Sequence, residues 1–189
     1  MVRLFVAVEL ENPEVLKRVI SFKNYVLSCS KQGGIKGVED ENIHLTLRFI
    51  GEVSEGLLPK IYECVKSLEN IRRFDMVVAG VGTFPSLSRP RVVWVGVKDG
   101  VEELSRLRKL LDACLEKYVR LEREDFVPHI TVGRVKGSVD SACLREVLHN
   151  YENFNFGASP VTQVKLKRSL LRPEGPIYND ILVVNLKEV

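Results

Sequence analysis

His44-Leu45-Thr46-Leu47 and His129-Ile130-Thr131-Val132 are the two stretches whose reading decides the fold. Each lies in an apolar, β-favouring run, residues 43–50 and 126–132. Side chains alternate between the faces of a strand, so His44 and Thr46 share one face, as do His129 and Thr131. Leu45, Leu47, Ile130 and Val132 then point to the other face, where a core takes them. The chain thus carries two imidazole-plus-hydroxyl pairs 85 residues apart, and two of its three histidines sit in them. A single His-x-Thr on a strand is more often structural than chemical. Two copies at matching places of a chain are harder to dismiss.

Working outward, residues 2–10 alternate as a strand, and Asn12-Pro13-Glu14 gives a helix its cap, first residue and acidic first turn. The apolar stripe Val15, Leu16, Val19, Ile20, Val26, Cys29 carries that helix toward Gly33-Gly34. The first His-x-Thr strand is expected over residues 43–52, with Arg48 on the same face as His44. Ser54 caps a second helix. Strands follow at 73–83 and 91–97, separated by the Pro/Ser-rich turn from Phe84 to Pro90. A third helix starts after Asp99-Gly100, and the second His-x-Thr strand covers about 126–135. Strict alternation turns Arg134 away from His129, and only a bulge at Gly133 returns it. A fourth helix begins at Gly137-Ser138, and the tail holds strands near 161–170 and 178–187. The two halves share the order strand, helix, His-x-Thr strand, helix. This predicts one α+β domain over 1–189, made of two pseudo-symmetric lobes of antiparallel sheet flanked by helices, with a central groove between the motifs.

The bulk properties narrow the class. With 45% apolar and 28% charged residues the chain is an ordinary globular protein. Its length buries roughly 70% of the unfolded surface, so no staples are needed. The net charge of +3 suits an anionic ligand without naming one. No apolar run reaches the roughly 18 residues of a membrane span, and the opening is too short and too soon charged for a signal peptide. Cys29, Cys64, Cys114 and Cys143 form no Cys-x-x-Cys pair and read as buried thiols in a reducing compartment. The expected address is the cytoplasm.

The chemistry follows from the residue types. One imidazole can take a proton from an attacking water while another protonates the departing oxygen. A threonine hydroxyl two residues along can hold a phosphate oxygen, which stabilises developing charge without a metal. Two histidines with no carboxylate or cysteine beside them make an incomplete metal site. Neither phosphate-loop nor dinucleotide glycine motif is present. Lys98-Asp99-Gly100 reads as a strand-to-helix turn, and His149 as a polar residue near a helix end. No cofactor is expected.

The chain resembles the two-histidine (2H) phosphoesterase superfamily, in particular its RNA 2′,3′-cyclic phosphodiesterase branch, also named for 2′-5′ RNA ligase activity. The likeness rests on Arg3-Leu4-Phe5-Val6-Ala7, the run from Glu41 to Val53 around the first motif, and Phe84-Pro85 through Pro90 to Val97. It extends over Phe126-Val127-Pro128-His129-Ile130-Thr131-Val132-Gly133-Arg134-Val135 and Arg172-Pro173-Glu174-Gly175-Pro176-Ile177-Tyr178. Gly37-Val38 departs from it, since members often carry an aromatic residue there. The resemblance implies hydrolysis of an RNA 2′,3′-cyclic phosphodiester to a 2′-phosphomonoester, with His44 as proton donor to the 3′-oxygen, His129 as acceptor from water, and Thr46 and Thr131 holding the phosphate. It makes the partner an RNA end and the reaction metal-free; no membrane partner is expected, and the protein is expected to be a monomer. Candidates for substrate contact are Arg48, Phe84, Arg89, Arg91, Arg134 and Tyr178. Three other readings use the same residues: 2′-5′ RNA ligation, hydrolysis of a small nucleotide or ADP-ribose cyclic phosphate, and binding of an RNA end without turnover.

Overall fold

The computed structural model describes residues 1–188; Val189, the last residue of the expected domain, lies outside them. The elements run β1 (Val2–Val8), α1 (Pro13–Leu27), β2 (Ile35–Gly37), β3 (Leu45–Val53), α2 (Leu58–Lys66), β4 (Phe74–Pro85), β5 (Pro90–Asp99) and α3 (Val101–Leu115). They continue with β6 (His129–Val135), α4 (Ser141–Tyr151), β7 (Asn155–Val161), β8 (Gln163–Arg172) and β9 (Gly175–Asn185). Every strand pair is antiparallel, in the order β7-β4-β5-β6-β3-β1-β8-β9, with β2 beside β6. The α+β class with two antiparallel lobes is what the motif pattern predicts. The lobes meet at one residue pair, Leu45 opposite Ile130, in the centre of each motif.

Helices from the two halves of the sequence interleave. From the first half, α1 packs on β6 and β7 beside α4, whereas α3 from the second half packs on β3 and against α2. Leu45, Leu47, Ile130 and Val132 are all buried, together with the helix stripes Val15, Val19, Phe22, Val26 and Leu104, Leu107, Leu111, Leu115. One face of the sheet is thereby closed by helices. The other is left for the groove.

Three departures from expectation have local causes. Helix α1 stops at Leu27 instead of reaching Gly33, because Cys29 and Ser30 pair with the backbone at Val139 and Asp140; the chain then turns over at Gln32 and Gly33, both with positive φ. Gly34 then passes so close to Ser138 that a Cβ would sit 1.7 Å from its carbonyl oxygen. Strand β7 was not foreseen in its Asn-, Gly-, Ser- and Pro-bearing sequence; it forms because β4 offers an edge to pair with, and Pro160 is tolerable on an outermost strand. The cysteines are not free thiols. Cys29 bonds Cys143 and Cys64 bonds Cys114. Each disulfide ties a helix of one half, or the segment just after it, to a helix of the other, a proximity that sequence spacing does not contain.

Candidate active site

Both histidines are oriented by the same device. His44 Nδ1 donates to the carbonyl of Asn42 at 2.6 Å, and His129 Nδ1 donates to that of Val127 at 2.7 Å. With Nδ1 carrying the proton, each neutral ring is left with Nε2 as its basic atom. His44 Nε2 accepts from the Thr46 hydroxyl at 2.8 Å. The backbone carrying Asn42 is itself pinned, since Asn42 Nδ2 donates to the Pro176 carbonyl at 3.0 Å. Counting outward from the Leu45–Ile130 pair sets Thr131 across from His44 and His129 across from Thr46. The four side chains line one groove of about 960 Å³.

Aromatic rings buttress the imidazoles. Phe5 lies 5.0 Å from His44, and Tyr178 meets that imidazole edge-on at 5.5 Å. Phe84 meets His129 edge-on at 5.0 Å and rests on Trp94 at 5.2 Å. Burial pushes His44 down to about 4, aided by Lys167 and Arg134 and opposed by the Asn42 carbonyl and Glu9. Without substrate, His44 is therefore neutral near pH 7. Charge in the groove is divided: Arg3, Lys36, Arg48, Arg108, Arg134 and Lys136 contribute cations, and Glu39, Glu124 and Asp125 contribute carboxylates.

The candidates for substrate contact separate into two groups. Phe84, Tyr178, Arg134 and Arg48 line the groove. On β6, Trp94 pairs with Thr131 but Val93 pairs with Gly133, so Val132 is an extra residue and the alternation shifts by one. That bulge returns Arg134 to the groove. The same kind of irregularity bears on Arg48, which also lines the groove. On β3, Ala7 pairs with Thr46 and Val6 with Arg48, leaving Leu47 extra. Arg48 is turned toward α3, where Nε and Nη2 donate to the Asp112 carboxylate at 2.9 and 2.7 Å and Nη1 to the Glu122 carbonyl at 2.9 Å. It is 5% exposed and its donors are committed. Arg89, in the exposed turn before β5, and Arg91, on β5 beside the groove-lining Val92, do not line the groove. Sequence reasoning missed Arg3, Lys36, Lys136 and, most plainly, Phe49, which the β3 bulge turns into the groove next to Arg48. Gly133 is the sort of strand glycine that signals a bulge; Leu47-Arg48 carries no such mark.

A curled antiparallel sheet of two pseudo-symmetric lobes, with a His-x-Thr motif of each facing a common groove, defines a two-histidine phosphoesterase. The family model for LigT like Phosphoesterase matches the chain twice, at residues 8–94 and 95–178, and the chain belongs to that family. It is 40% identical over 186 residues to a protein of Methanothermobacter thermautotrophicus named RNA 2′,3′-cyclic phosphodiesterase, covering 98% of this chain and 99% of the relative. A protein of the same name from Archaeoglobus fulgidus is 39% identical over 181 residues, covering 96% and 98%. Among solved structures, TT0787 of Thermus thermophilus superposes with a TM-score of 0.83 at 29% identity, over 98% of both chains. E. coli LigT complexed with 3′-AMP shares the fold, with a TM-score of 0.79 at 24% identity and the same coverage. No helix among the described residues is long and apolar enough to cross a membrane.

Proposed function

We propose that this chain hydrolyses RNA 2′,3′-cyclic phosphodiester ends to 2′-phosphomonoesters by metal-free general acid–base catalysis, as one domain of two duplicated lobes acting as a monomer. The observation that carries the reading is the paired motif: two imidazoles, each fixed through Nδ1 by a carbonyl two residues earlier, on strands that meet between them. Family membership and the names of the relatives support the substrate.

In the reaction a water attacks phosphorus and loses its proton to His129 Nε2. The P–O3′ bond breaks, and the 3′-oxygen takes a proton from His44 Nε2. Thr46 and Thr131 hold the non-bridging oxygens, and Arg134 adds a positive charge beside them. Because burial favours neutral His44, its donor role requires the phosphodiester's negative charge to draw a proton onto the ring as substrate arrives. The Thr46 hydroxyl engages Nε2 until then; a bound phosphate gives that hydroxyl its alternative acceptor. The proposed place of action is the cytoplasm, with the condition that the two disulfides set: such bonds persist in an oxidising compartment or in the disulfide-tolerant cytosol of hyperthermophiles.

A short RNA ending in 2′,3′-cyclic phosphate, incubated in excess EDTA, should yield a 2′-phosphate, and His44→Ala and His129→Ala should each lose at least about 10²-fold in rate. Turnover surviving loss of both histidines would sink the mechanism. A substrate with sulfur at the 3′ bridging position assigns the roles, since a thiolate leaves without help from an acid. His44→Ala should recover on it and His129→Ala should not; the opposite pattern exchanges donor and acceptor.

A further inference from the structure

Lysine is almost never fully buried unless its charge is paired, and α1 buries one. Lys23 is 6% exposed and stands in the inward stripe with Val15, Val19, Phe22 and Val26. Its Nζ donates to the Val38 carbonyl at 2.8 Å and forms an ion pair with the exposed Asp40. Both partners lie in the segment between β2 and β3. Val38 is fixed from its other side as well, its amide donating to the Val132 carbonyl of β6 at 2.9 Å. Asp40–Asn42 then make a single 3-10 turn, closed by the Asn42 amide on the Glu39 carbonyl at 2.8 Å. That turn delivers the Asn42 carbonyl to His44 Nδ1.

The second lobe repeats the arrangement. Arg108 of α3 is 5% exposed and lies 5.1 Å over the Phe126 ring, next to the residue whose carbonyl orients His129. Helix α1 packs on β6 and reaches the segment leading into β3, whereas α3 packs on β3 and reaches the segment leading into β6. Each helix thus rests on the strand of one motif and sends a buried cation to the approach of the other. Helix packing alone asks for no cation at these places, since methionine would fill either stripe.

We propose that Lys23 is a positioning residue for the reaction: from α1 it holds Val38 and Asp40, and so fixes the turn whose Asn42 carbonyl aims the His44 imidazole. This rests on the phosphodiesterase reading for its substrate. It also makes the aim of His44 depend on a helix seated behind the opposite motif.

The test is a double-mutant cycle on adenosine 2′,3′-cyclic phosphate. Asp40 is exposed, so Lys23→Met leaves no buried charge behind and should fold. Lys23→Met should lower kcat about 10-fold, less than loss of His44 itself, with KM within about twofold. Added to His44→Ala it should cost nothing further, and added to His129→Ala it should cost the same again. Asp40→Ala, which touches only the exposed end of the clamp, should show the same dependence on His44 at about threefold. An unchanged kcat in both variants, or an undiminished loss in the His44→Ala background, would overturn the proposal. Nitrogen-15 NMR of the imidazoles at about pH 8, where both rings are neutral, reads the aim without turnover. The His44 Nδ1 proton should exchange faster in Lys23→Met and Asp40→Ala, while that of His129 is unchanged. If the wild type turns over no cyclic phosphate but the His44 proton responds in this way, the phosphodiesterase reading falls and the positioning stands. If neither ring proton responds, the positioning falls whatever the turnover.

Discussion

His44 is held in its neutral form by burial, and folding stability should register this. Its folded pKa of about 4 lies below the ordinary histidine value of 6.5, so the unfolded chain binds a proton that the folded one refuses. Stability from this residue is present above pH 6.5 and is lost as pH falls from there through about 4. Denaturant titrations across that window should show a declining unfolding free energy, and His44→Gln, close in shape but unable to titrate, should flatten the decline. An unchanged slope in the variant would mean that His44 titrates normally. Burial works against ionisation of Asp112 and Asp180, yet hydrogen bonds from their Arg and Lys partners hold both below the usual carboxylate range. Their contributions fade only at lower pH, which keeps the histidine window interpretable. At this scale the sequence was most legible: the two His-x-Thr pairs could be read directly, because period-two alternation holds within three residues of a strand.

One step further along each strand the alternation fails, and the consequences are those of elements. The β3 bulge directs Arg48 to α3, where it and Arg108 share the Asp112 carboxylate. Arg108 also donates to the Leu47 carbonyl at 2.9 Å, bonding the bulge itself to the helix. Both arginines are 5% exposed, with Glu124 as a more distant partner at 3.8 and 3.7 Å. Asp112→Ala leaves two buried cations without their close carboxylate and should cost about 3–5 kcal/mol, measured by urea unfolding. Arg48→Met removes a cation and keeps the apolar stem, so catalytic rate should stay within about threefold of wild type. A loss of about 10²-fold in kcat with normal folding, the scale of a lost catalytic group, would return Arg48 to the phosphate. The bulge at Gly133 could be anticipated as a condition on Arg134, since a glycine in a strand invites one. The bulge at Leu47 had no residue to announce it.

Across the whole molecule, the two disulfides repeat the symmetry of the fold. One joins the segment just after α1 to α4 and the other joins α2 to α3, so each lobe's pair of helices is clamped once. The bridged residues are 114 and 50 apart in sequence. Closing loops of that size in the unfolded chain stabilises the fold by about 4–5 kcal/mol each on the chain-entropy account. Replacing Cys64 and Cys114 by Ala should lower the thermal midpoint by about 10 °C, and a reductant, which opens both disulfides, should lower that of the wild type by about 20 °C while leaving the groove's turnover at about 25 °C intact. A midpoint indifferent to reductant would show that the thiols are not paired in the folded protein.

The sequence by itself determined the facing of the two His-x-Thr pairs, the α+β class, the two-lobed repeat and the inward faces of the strands, because these depend on side-chain type and on short-range periodicity. Tertiary structure alone decided the pairing of the cysteines, the interleaving of α1 and α3 between lobes, the edge strand β7, and the identity of the side chain that follows each motif into the groove. Those outcomes depend on which backbone meets which. A β-bulge is set by register against a neighbouring strand, and a disulfide by the meeting of helices far apart in the chain. Neither has a local signature, and both bear on the site: one ties Arg48 to α3 and turns Phe49 into the groove, and the other fastens the helices behind them.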